Sequence, residues 1–243
     1  MITILPVEGL PEVGAGDDLA ALIAERVVLD DGDVVVVAQK VVSKAEARVV
    51  SLEGVEPSER ARELAGTERD PRESEVILRE SVRVVRSRNS LVIAETSHGF
   101  VCASAGVDHS NAAEPGTLIL LPVDPDESAE LLRTELRERT GADVAVVVTD
   151  SFGRPFRKGT TDVAIGVSGL EPIADLRGTP DRAGRLLRST QVAVADELAS
   201  AADLARRGKD DGLPVVVVRG YEGVRREGSA RELVIRPDRD LFR

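Results

Sequence analysis

Cysteine, tryptophan and long apolar runs are nearly absent from this sequence of 243 residues, which has one cysteine and no tryptophan. The single cysteine, Cys102, excludes an internal disulfide and predicts a reducing compartment. The longest apolar run, residues 118–123, is far too short to span a bilayer. The amino terminus also lacks the basic region and the long apolar core of a signal peptide. We therefore expect a soluble, cytoplasmic protein without a membrane partner.

Lysine and aromatic residues are scarce as well. Aromatics make up 2% of the chain, the formal net charge is -11, and only four of the 32 cationic residues are lysines, namely Lys40, Lys44, Lys158 and Lys209. The acidic balance argues against nucleic acid as the main partner. An acidic surface with arginine in place of lysine is expected of a protein kept soluble in concentrated salt, although a GC-rich genome gives the same arginine bias. Each remaining lysine is therefore of interest as a candidate site residue.

One stretch combines an apolar run with a polar end and a basic turn. Residues 144–148 predict a buried strand, which ends at Thr149, Asp150 and Ser151. A carboxylate and two hydroxyls at the carboxyl end of a buried strand lie where open α/β sheets place ligands. The following turn carries Arg154, Arg157 and Lys158. A metal ligand beside an anion-binding turn suits phosphate chemistry; a strand end with a solvated basic turn is the alternative.

A second polar stretch, residues 97–111, is dominated by small residues that let the backbone approach a ligand. It ends in Asp108, His109, Ser110 and Asn111, and it contains both histidines of the chain. No second histidine at helical spacing and no cysteine cluster accompany them, so a zinc site is not expected. Asp108 can instead share a hard cation with Asp150.

Two of the four lysines follow another predicted strand. Residues 33–38 predict a buried strand that ends at Gln39 and Lys40, and Lys44 comes four residues later. The two ammonium groups can reach a common phosphate as point charges. A pair of solvated surface lysines is equally consistent with the sequence.

The common nucleotide-binding signatures are missing. The loop at residues 10–16 contains G-x-G, but the third glycine and the acidic strand end of a dinucleotide site are absent. G-x-x-x-x-G-K-[ST] is absent too, so a nucleoside triphosphate would not bind through a Walker P-loop.

The pattern of apolar segments indicates one catalytic unit over residues 1–243. At 42% hydrophobic the chain can bury a core, as one large domain or as two interlocked lobes. Gly166 and Gly169, in and after a strand-like segment, indicate close packing or a bend. Residues 182–207 predict the longest helix, whose alanines indicate tight packing against a neighbouring element or a second subunit.

Seven sequence blocks occur in order over almost the whole length. They are L-P-V-E-G-L-P, V-V-V-V-A-Q-K-V-V-S-K-A-E, G-F-V-C-A-S-A-G-V-D-H-S-N, V-V-V-T-D-S-F-G-R-P-F-R-K-G, D-V-A-I-G-V-S-G-L, A-D-E-L-A-S-A-A-D-L and P-V-V-V-V-R-G. With these blocks the chain closely resembles the coenzyme F420-0:γ-glutamyl ligase family. The resemblance implies an α/β fold, a mixed sheet with packed helices, in a topology of the family's own rather than a Rossmann or P-loop domain.

The resemblance also implies an activity. Members join L-glutamate to the lactyl carboxylate of F420-0, a deazaflavin coenzyme, and extend the tail by γ-linkage. The reaction uses GTP, passes through an acyl phosphate, and releases GDP and phosphate. Members use Mg²⁺ or Mn²⁺, with two sites expected, often together with a monovalent ion such as K⁺, and they form homodimers.

Roles carry over at the matching positions. Asp108 and Asp150 match metal ligands, Ser151 lies beside a second metal, and Lys44 joins the two aspartates as a catalytic candidate. The positions that match GTP contacts are Leu10, Pro11, Glu12, Val13, Gln39, Lys40, Lys44, Asn111, Arg206, Arg207, Gly208, Lys209, Asp210, Asp211, Gly212 and Leu213.

Two positions depart from the family pattern. Gly208 stands where relatives have an acidic or amide ligand of the second metal, so Asp210 or Asp211 replaces that ligand or the second metal binds more weakly. Ser104 replaces a common Asn, which we expect to be tolerated. Two other functions remain open: a metal-dependent phosphohydrolase that uses Asp108 and Asp150, and a non-catalytic nucleotide- or deazaflavin-binding protein.

Overall fold

The computed structural model describes residues 1–110, 115–206 and 212–241. The strands in these ranges are β1 (Thr3–Pro6), β2 (Val34–Ala38), β3 (Val49–Ser51), β4 (Ser81–Arg88), β5 (Leu91–Thr96), β6 (Val101–Ala103), β7 (Thr117–Ile119), β8 (Ala145–Gly153), β9 (Thr160–Ser168), β10 (Ala174–Asp175), β11 (Gln191–Val192) and β12 (Val215–Arg219). The helices are α1 (Leu19–Ala24), α2 (Gln39–Ala45), α3 (Glu59–Ala65), α4 (Pro71–Arg79), α5 (Pro125–Thr140) and α6 (Val194–Ala205), with short 3₁₀ turns at Ser104–Gly106, Ala230–Leu233 and Pro237–Arg239.

A five-stranded mixed sheet in the order β1-β12-β2-β8-β9 forms the centre of the fold. Only β2 and β8 are parallel, and the other neighbouring pairs are antiparallel. The valine runs of β2, β8 and β12 are completely buried. Because successive residues of a strand point to opposite faces, such a run forms only where both faces are covered. Helix α5, backed by α1, packs on β8 and β9, and α6 packs on β9, β12 and β1.

Smaller sheets lie beside this core. Strands β4, β5 and β6 form one antiparallel sheet, and β3 pairs with β7. Two small apolar clusters, around Ile77 and around Leu118, hold these strands to helices α3 and α4. These smaller sheets position the segment that contains Asp108. Asp108 itself forms a β-bridge with Ile119 at the end of β7.

The predicted α/β class, a mixed sheet with packed helices, is confirmed. The sheet is not the all-parallel sheet of a Rossmann domain, as it contains one parallel pair among four. No helix of the ranges that the structure describes is long and apolar enough to cross a membrane.

The helix predicted over residues 182–207 is wrong in its first half. Helix α6 begins only at Val194, and residues 176–190 form an exposed hairpin-like arm. Backbone hydrogen bonds hold the arm together, with Gly178 N–H donating to Leu187 O at 2.8 Å and Leu187 N–H donating to Thr179 O at 2.9 Å. Gly184 has a φ of 81°, a turn conformation that a helix cannot contain.

Gly166 lets α5 contact the central sheet closely, as its position in a strand predicts. A Cβ at this position would lie 2.0 Å from the carbonyl oxygen of Pro125, the first residue of α5. We expect Gly166→Ala to lower the free energy of unfolding by about 2 to 3 kcal/mol, because either the helix or the strand must move. Gly153→Ala is the matched control, because a Cβ on that β8 glycine meets no atom within 4 Å. Urea unfolding of both variants measures the effect, and equal losses would contradict close packing at Gly166.

Candidate functional site

A pocket of about 560 Å³ opens where the parallel pairing of β2 with β8 ends, at Ala38 and Thr149. Ala38, the last residue of β2, pairs with Thr149 of β8. The prediction that this second strand ends at Thr149, Asp150 and Ser151 is wrong, because pairing with β9 continues β8 to Gly153. The polar residues that follow the two valine runs nevertheless meet beside the end of β2. The pocket is lined by residues 10–13, 38–41, 44, 149–151, 162, 203, 204, 206 and 212–214. The edge that the sequence predicts for a ligand is therefore the edge that holds the pocket.

Most of the residues assigned to GTP and metal from the sequence line this pocket. They are Leu10, Pro11, Glu12, Val13, Gln39, Lys40, Lys44, Asp150, Ser151, Arg206, Gly212 and Leu213. Asp108 is not among the lining residues, but it forms an ion pair with Lys40, which lines the pocket. Asn111 and the segment Arg207, Gly208, Lys209, Asp210 and Asp211 lie outside the described residues.

Helix α2 places the two lysines. It begins at the buried Gln39, whose side-chain amide donates to Leu120 O at 2.9 Å and to the Ser43 hydroxyl at 2.7 Å. These bonds fix the first turn of the helix, from which Lys40 and Lys44 project one turn apart into the pocket. The alternative of two solvated lysines is excluded for Lys44, which is buried.

Each pocket lysine is paired with a carboxylate. Lys40 Nζ lies 2.8 Å from Asp108 Oδ2 and also contacts the Ser110 hydroxyl. Lys44 pairs with Glu12, whose side chain is 75% exposed. The positive charges that would bind an anion are therefore neutralised by acidic side chains in or beside the pocket.

Asp108 is held by its neighbours as an ionised group. The Ser110 backbone N–H donates to Asp108 Oδ1 at 2.7 Å, and the Ser110 hydroxyl donates to Oδ2 at 3.0 Å. Burial raises the pKa of Asp108, but the hydrogen bond and charge of Lys40 and the Ser110 donors outweigh it, so the pKa lies below its ordinary value. Asp108 is thus available as a negatively charged oxygen ligand.

The backbone before Asp108 has an unusual conformation at residue 104, where the resemblance implies asparagine in place of Ser104. Ser104 and Ala105 both have left-handed φ values, 52° and 53°. Asparagine adopts this conformation more readily than other residues with a side chain, because its amide bonds to the local backbone. Ser104 keeps the turn and accepts a hydrogen bond from Arg69 at 3.1 Å.

Asp150 is in a different electrostatic state from Asp108. Burial, and after it the charges of Asp162 and Asp108, raise its pKa from the ordinary 3.8 to about 7, against the lowering effects of the Ser151 backbone N–H and Lys40. The Cys102 thiol, close enough to feel the charge of Asp150, has its pKa raised to about 12, by burial first and then by Asp150, so it is inert. A buried carboxylate with an excess of negative neighbours lacks positive charge, which a bound cation would supply.

In chelator, Asp150→Asn is expected to stabilise the protein at high pH. The folded pKa lies above the unfolded one, so folding takes up a proton between about pH 4 and 7, and the wild type loses stability as pH rises through that window. We expect the variant to be more stable by roughly 2 to 3 kcal/mol at pH 8, where partial exposure of Asp150 to water reduces the full effect, and by only about 1 kcal/mol at pH 4.5. Urea unfolding with EDTA at both pH values measures this. A gain that is the same at both would show that charge is not its cause.

A buried network at the base of the pocket was not predicted. Asp162 of β9 accepts hydrogen bonds from the Ser151 hydroxyl at 2.7 Å and the Thr149 hydroxyl at 3.0 Å, and it forms an ion pair with Arg206. Arg206 also donates to Thr149 Oγ1 at 3.0 Å. The signal was present in the sequence: a hairpin with its turn at residues 154–159 places Ser151 opposite Asp162, as the register shows.

The basic turn at residues 154–158 agrees with the alternative interpretation, a solvated turn, rather than with an anion-binding one. Arg154, Arg157 and Lys158 are exposed and none lines the pocket, while Phe156 at the tip is 90% exposed. Phe152 points back into the core, where its ring lies edge-on to Phe100 at 6.2 Å.

The two histidines stand outside the pocket. His98 stacks on Phe100 at 5.5 Å, and its Nε2 lies 3.0 Å from the carbonyl oxygens of both Pro122 and Val123. Since both oxygens are acceptors, Nε2 carries the proton. His109 Nδ1 lies 3.2 Å from Glu73. Both side chains therefore hold local structure.

The residues present fit a hard divalent cation. In the part of the chain that the structure describes, no three His, Cys, Asp or Glu side chains gather around one point. Asp108, Asp150 and Ser151 nevertheless offer two carboxylates and a hydroxyl beside a pocket with room for phosphates. Mg²⁺ typically takes one or two protein carboxylates and completes its shell with water and phosphate oxygens.

Comparison with known proteins identifies the family. The family model described as F420-0:Gamma-glutamyl ligase matches residues 9–220. The coenzyme F420:L-glutamate ligase of Methanopyrus kandleri is 50% identical over 100% of this chain and 98% of its own length, and that of Methanothermobacter thermautotrophicus is 46% identical over 100% and 99%. The coenzyme F420:L-glutamate ligase of Halobacterium salinarum is 47% identical over 92% and 88%. The chain belongs to the F420-0:γ-glutamyl ligase family.

Proposed function

We propose that the protein is a GTP-dependent ligase that adds L-glutamate to coenzyme F420-0 and extends the γ-linked tail. The relatives named coenzyme F420:L-glutamate ligase support the substrates. The observation that supports nucleotide binding is the pocket itself. In it, Lys40 and Lys44 lie beside Asp108 and Asp150 at one end of a parallel strand pair. A second divalent ion, a monovalent ion such as K⁺ and a homodimer belong to the same proposal.

The chemistry explains why such a ligase needs this pocket. A carboxylate is a poor acyl donor, since its leaving group would be oxide. Transfer of the γ-phosphoryl group of GTP to the F420-0 carboxylate gives an acyl phosphate and GDP. The amine of glutamate then attacks the acyl carbon, and phosphate leaves as the amide forms. The protein contributes position and charge rather than a covalent intermediate.

The lysines would bind the phosphates by exchanging partners. In the structure Lys40 contacts Asp108 and Lys44 contacts Glu12. A triphosphate offers both ammonium groups a stronger negative charge, and its arrival would free Asp108 for a metal. Asp108, Asp150 and Ser151 would hold Mg²⁺ or Mn²⁺, which offsets phosphate charge when bound. Nucleotide and metal would therefore favour each other's binding.

Glu12→Gln is expected to tighten GDP binding about fivefold. The substitution removes the carboxylate that competes for Lys44, an interaction worth up to about 1 kcal/mol for a partly exposed pair. Isothermal titration with GDP and Mg²⁺ measures the change. Glu8→Gln, an exposed residue before the same loop, is the control and should leave the affinity unchanged. Weaker binding by Glu12→Gln would mean that Glu12 contacts the nucleotide itself.

Mass spectrometry of F420-0 tests the proposed function. The coenzyme is incubated with the protein, GTP, Mn²⁺ and L-glutamate, in high and in low salt. Growth in glutamate-sized steps supports the ligase. GDP release without mass growth would favour a phosphohydrolase, and unchanged coenzyme and GTP in both salts would favour a non-catalytic binding protein. ATP in place of GTP shows whether guanine is required.

A further inference from the structure

Asp162 is a buried carboxylate of the pocket to which no role has yet been given. It lies in β9 directly opposite Ser151 of β8 and is 4% exposed. Its Oδ1 accepts the Ser151 hydroxyl at 2.7 Å, and its Oδ2 accepts the Thr149 hydroxyl at 3.0 Å and the Arg206 guanidinium. Both oxygens are therefore occupied by donors, two from β8 and one from the residue that follows α6.

The hydrogen bonds determine which way each hydroxyl faces. A carboxylate paired with a guanidinium only accepts, so both hydroxyl protons are directed at Asp162. Thr149 Oγ1 accepts in turn from Arg206 at 3.0 Å. Among the described residues no donor reaches Ser151 Oγ, which lines the pocket. The lone pairs of Ser151 are thus directed toward the pocket, where a cation is the natural partner for an oxygen without a donor.

We propose that Asp162 is a positioning residue, which holds the Ser151 hydroxyl as a metal ligand. This inference rests on the proposed metal role of Ser151. Carboxylates that bond to a ligand's far side set its orientation and commonly change metal affinity 10- to 100-fold when removed. Arg206 supports this orientation, because its guanidinium donates to Asp162 Oδ2 and leaves Oδ1 to accept from Ser151.

Asparagine at residue 162 would reverse this arrangement. Its amide can donate to Ser151 Oγ and occupy the lone pair that faces the cation. Asp162→Asn is therefore expected to weaken Mn²⁺ binding 10- to 100-fold, as is Ser151→Ala. In the Ser151→Ala background, Asp162→Asn should change Mn²⁺ affinity less than twofold, because the oxygen that Asp162 orients is already gone.

Electron paramagnetic resonance of free Mn²⁺ measures these affinities, with GDP present and without it. Urea unfolding of the same proteins in chelator separates binding from stability, since a structural role would lower stability equally in both backgrounds. Asp162→Asn with Arg206→Met removes both charges and should show the same loss of Mn²⁺ affinity if the single variant does not fold. Asp196→Asn is the matched control, as this half-buried carboxylate also bonds to β9, accepting from Ala164 N–H at 2.9 Å.

Each outcome decides one point. Weak Mn²⁺ binding in Ser151→Ala and Asp162→Asn without additivity supports the proposal. Weak binding in Ser151→Ala with wild-type affinity in Asp162→Asn overturns it and leaves the proposed function intact. A further tenfold loss from Asp162→Asn in the Ser151→Ala background overturns it too, because Asp162 would then bind the metal directly. Absence of Mn²⁺ binding by the wild type, with and without GDP, would overturn the proposed metal site itself.

Discussion

Replacing Asp150 with asparagine is expected to lower the rate of glutamate addition to F420-0 about 10³-fold or more. Asp150 is a half-buried carboxylate of β8 that lines the pocket, and burial, with the charges of Asp162 and Asp108, raises its pKa. A metal-bridged phosphoryl transfer depends on such a ligand for charge neutralisation, and loss of one preorganised electrostatic contact typically costs 10²- to 10³-fold in rate, more where a metal is lost. Asparagine keeps the shape of the side chain and removes the charge.

The rate is measured by mass spectrometry of F420-0 under saturating GTP and glutamate, with Mn²⁺ varied. Asp238→Asn is the matched control: this exposed aspartate in the last 3₁₀ turn pairs only with Arg236 in the described structure, and its replacement should leave the rate unchanged. If excess Mn²⁺ restores the rate of Asp150→Asn, the residue binds the metal without being required for transfer. A rate within threefold of wild type at ordinary Mn²⁺ would remove Asp150 from the mechanism.

The combination of a large loss of rate with greater stability in Asp150→Asn would be informative. Asp150→Asn should be more stable than the wild type in chelator at pH 8, because the buried charge is gone. A residue that destabilises the fold while it serves the reaction is typical of a functional site. A merely structural aspartate would give the opposite sign of stability change.

Strand ends were the most predictable part of the site. The valine runs of β2 and β8 are local signals, and each is followed by polar residues in the sequence. Their meeting depends on the parallel pairing of Ala38 with Thr149, which joins residues more than a hundred positions apart. The sequence pattern names both strands but contains no local signal for which strands are neighbours. The resemblance to a known family implied that residues after both valine runs serve one site, but it did not say which strands are neighbours.

Helix α6 shows where pattern reasoning fails. Its alanines are buried on one face, as expected of a packed helix. The preceding residues 182–192 contain enough arginine and leucine to continue the helical pattern, but Gly184 and the backbone bonds of the arm favour a turn. Isolated helical propensity is a small free energy, so a hairpin with its own hydrogen bonds overrides it.

Sequence pattern also fails to predict which charged residues line the pocket and which are exposed. Lys44 and Arg154 both follow strands and look alike in sequence, yet Lys44 is buried in the pocket and Arg154 is exposed. The direction in which each of these side chains points depends on the element that follows its strand. Helix α2 turns back along the pocket wall, while the β8–β9 hairpin extends past it. Charge alone does not encode this difference.

Arg206→Met is expected to lower the free energy of unfolding by about 3 to 5 kcal/mol. Arg206 is 8% exposed and pairs with the 4% exposed Asp162, so its removal leaves a buried carboxylate without its cation. The hydrogen bond from Arg206 to Thr149 is lost as well. Burial lowers the pKa of Arg206, against the charges of Asp162 and Asp203, yet a guanidinium stays protonated under such a shift. Urea unfolding in chelator measures the loss.

An exposed ion pair provides the control for this loss. Arg139 and Asp18 also pair, but their side chains are 43% and 47% exposed, and Arg139→Met should cost less than about 1 kcal/mol. Arg206→Lys should lie between the two, since it keeps the charge without the planar fork. Replacement of both partners, Asp162→Asn with Arg206→Met, should restore most of the stability, because no buried charge is left alone. If the double variant is as unstable as Arg206→Met, packing of the arginine side chain rather than its charge stabilises the base of the pocket.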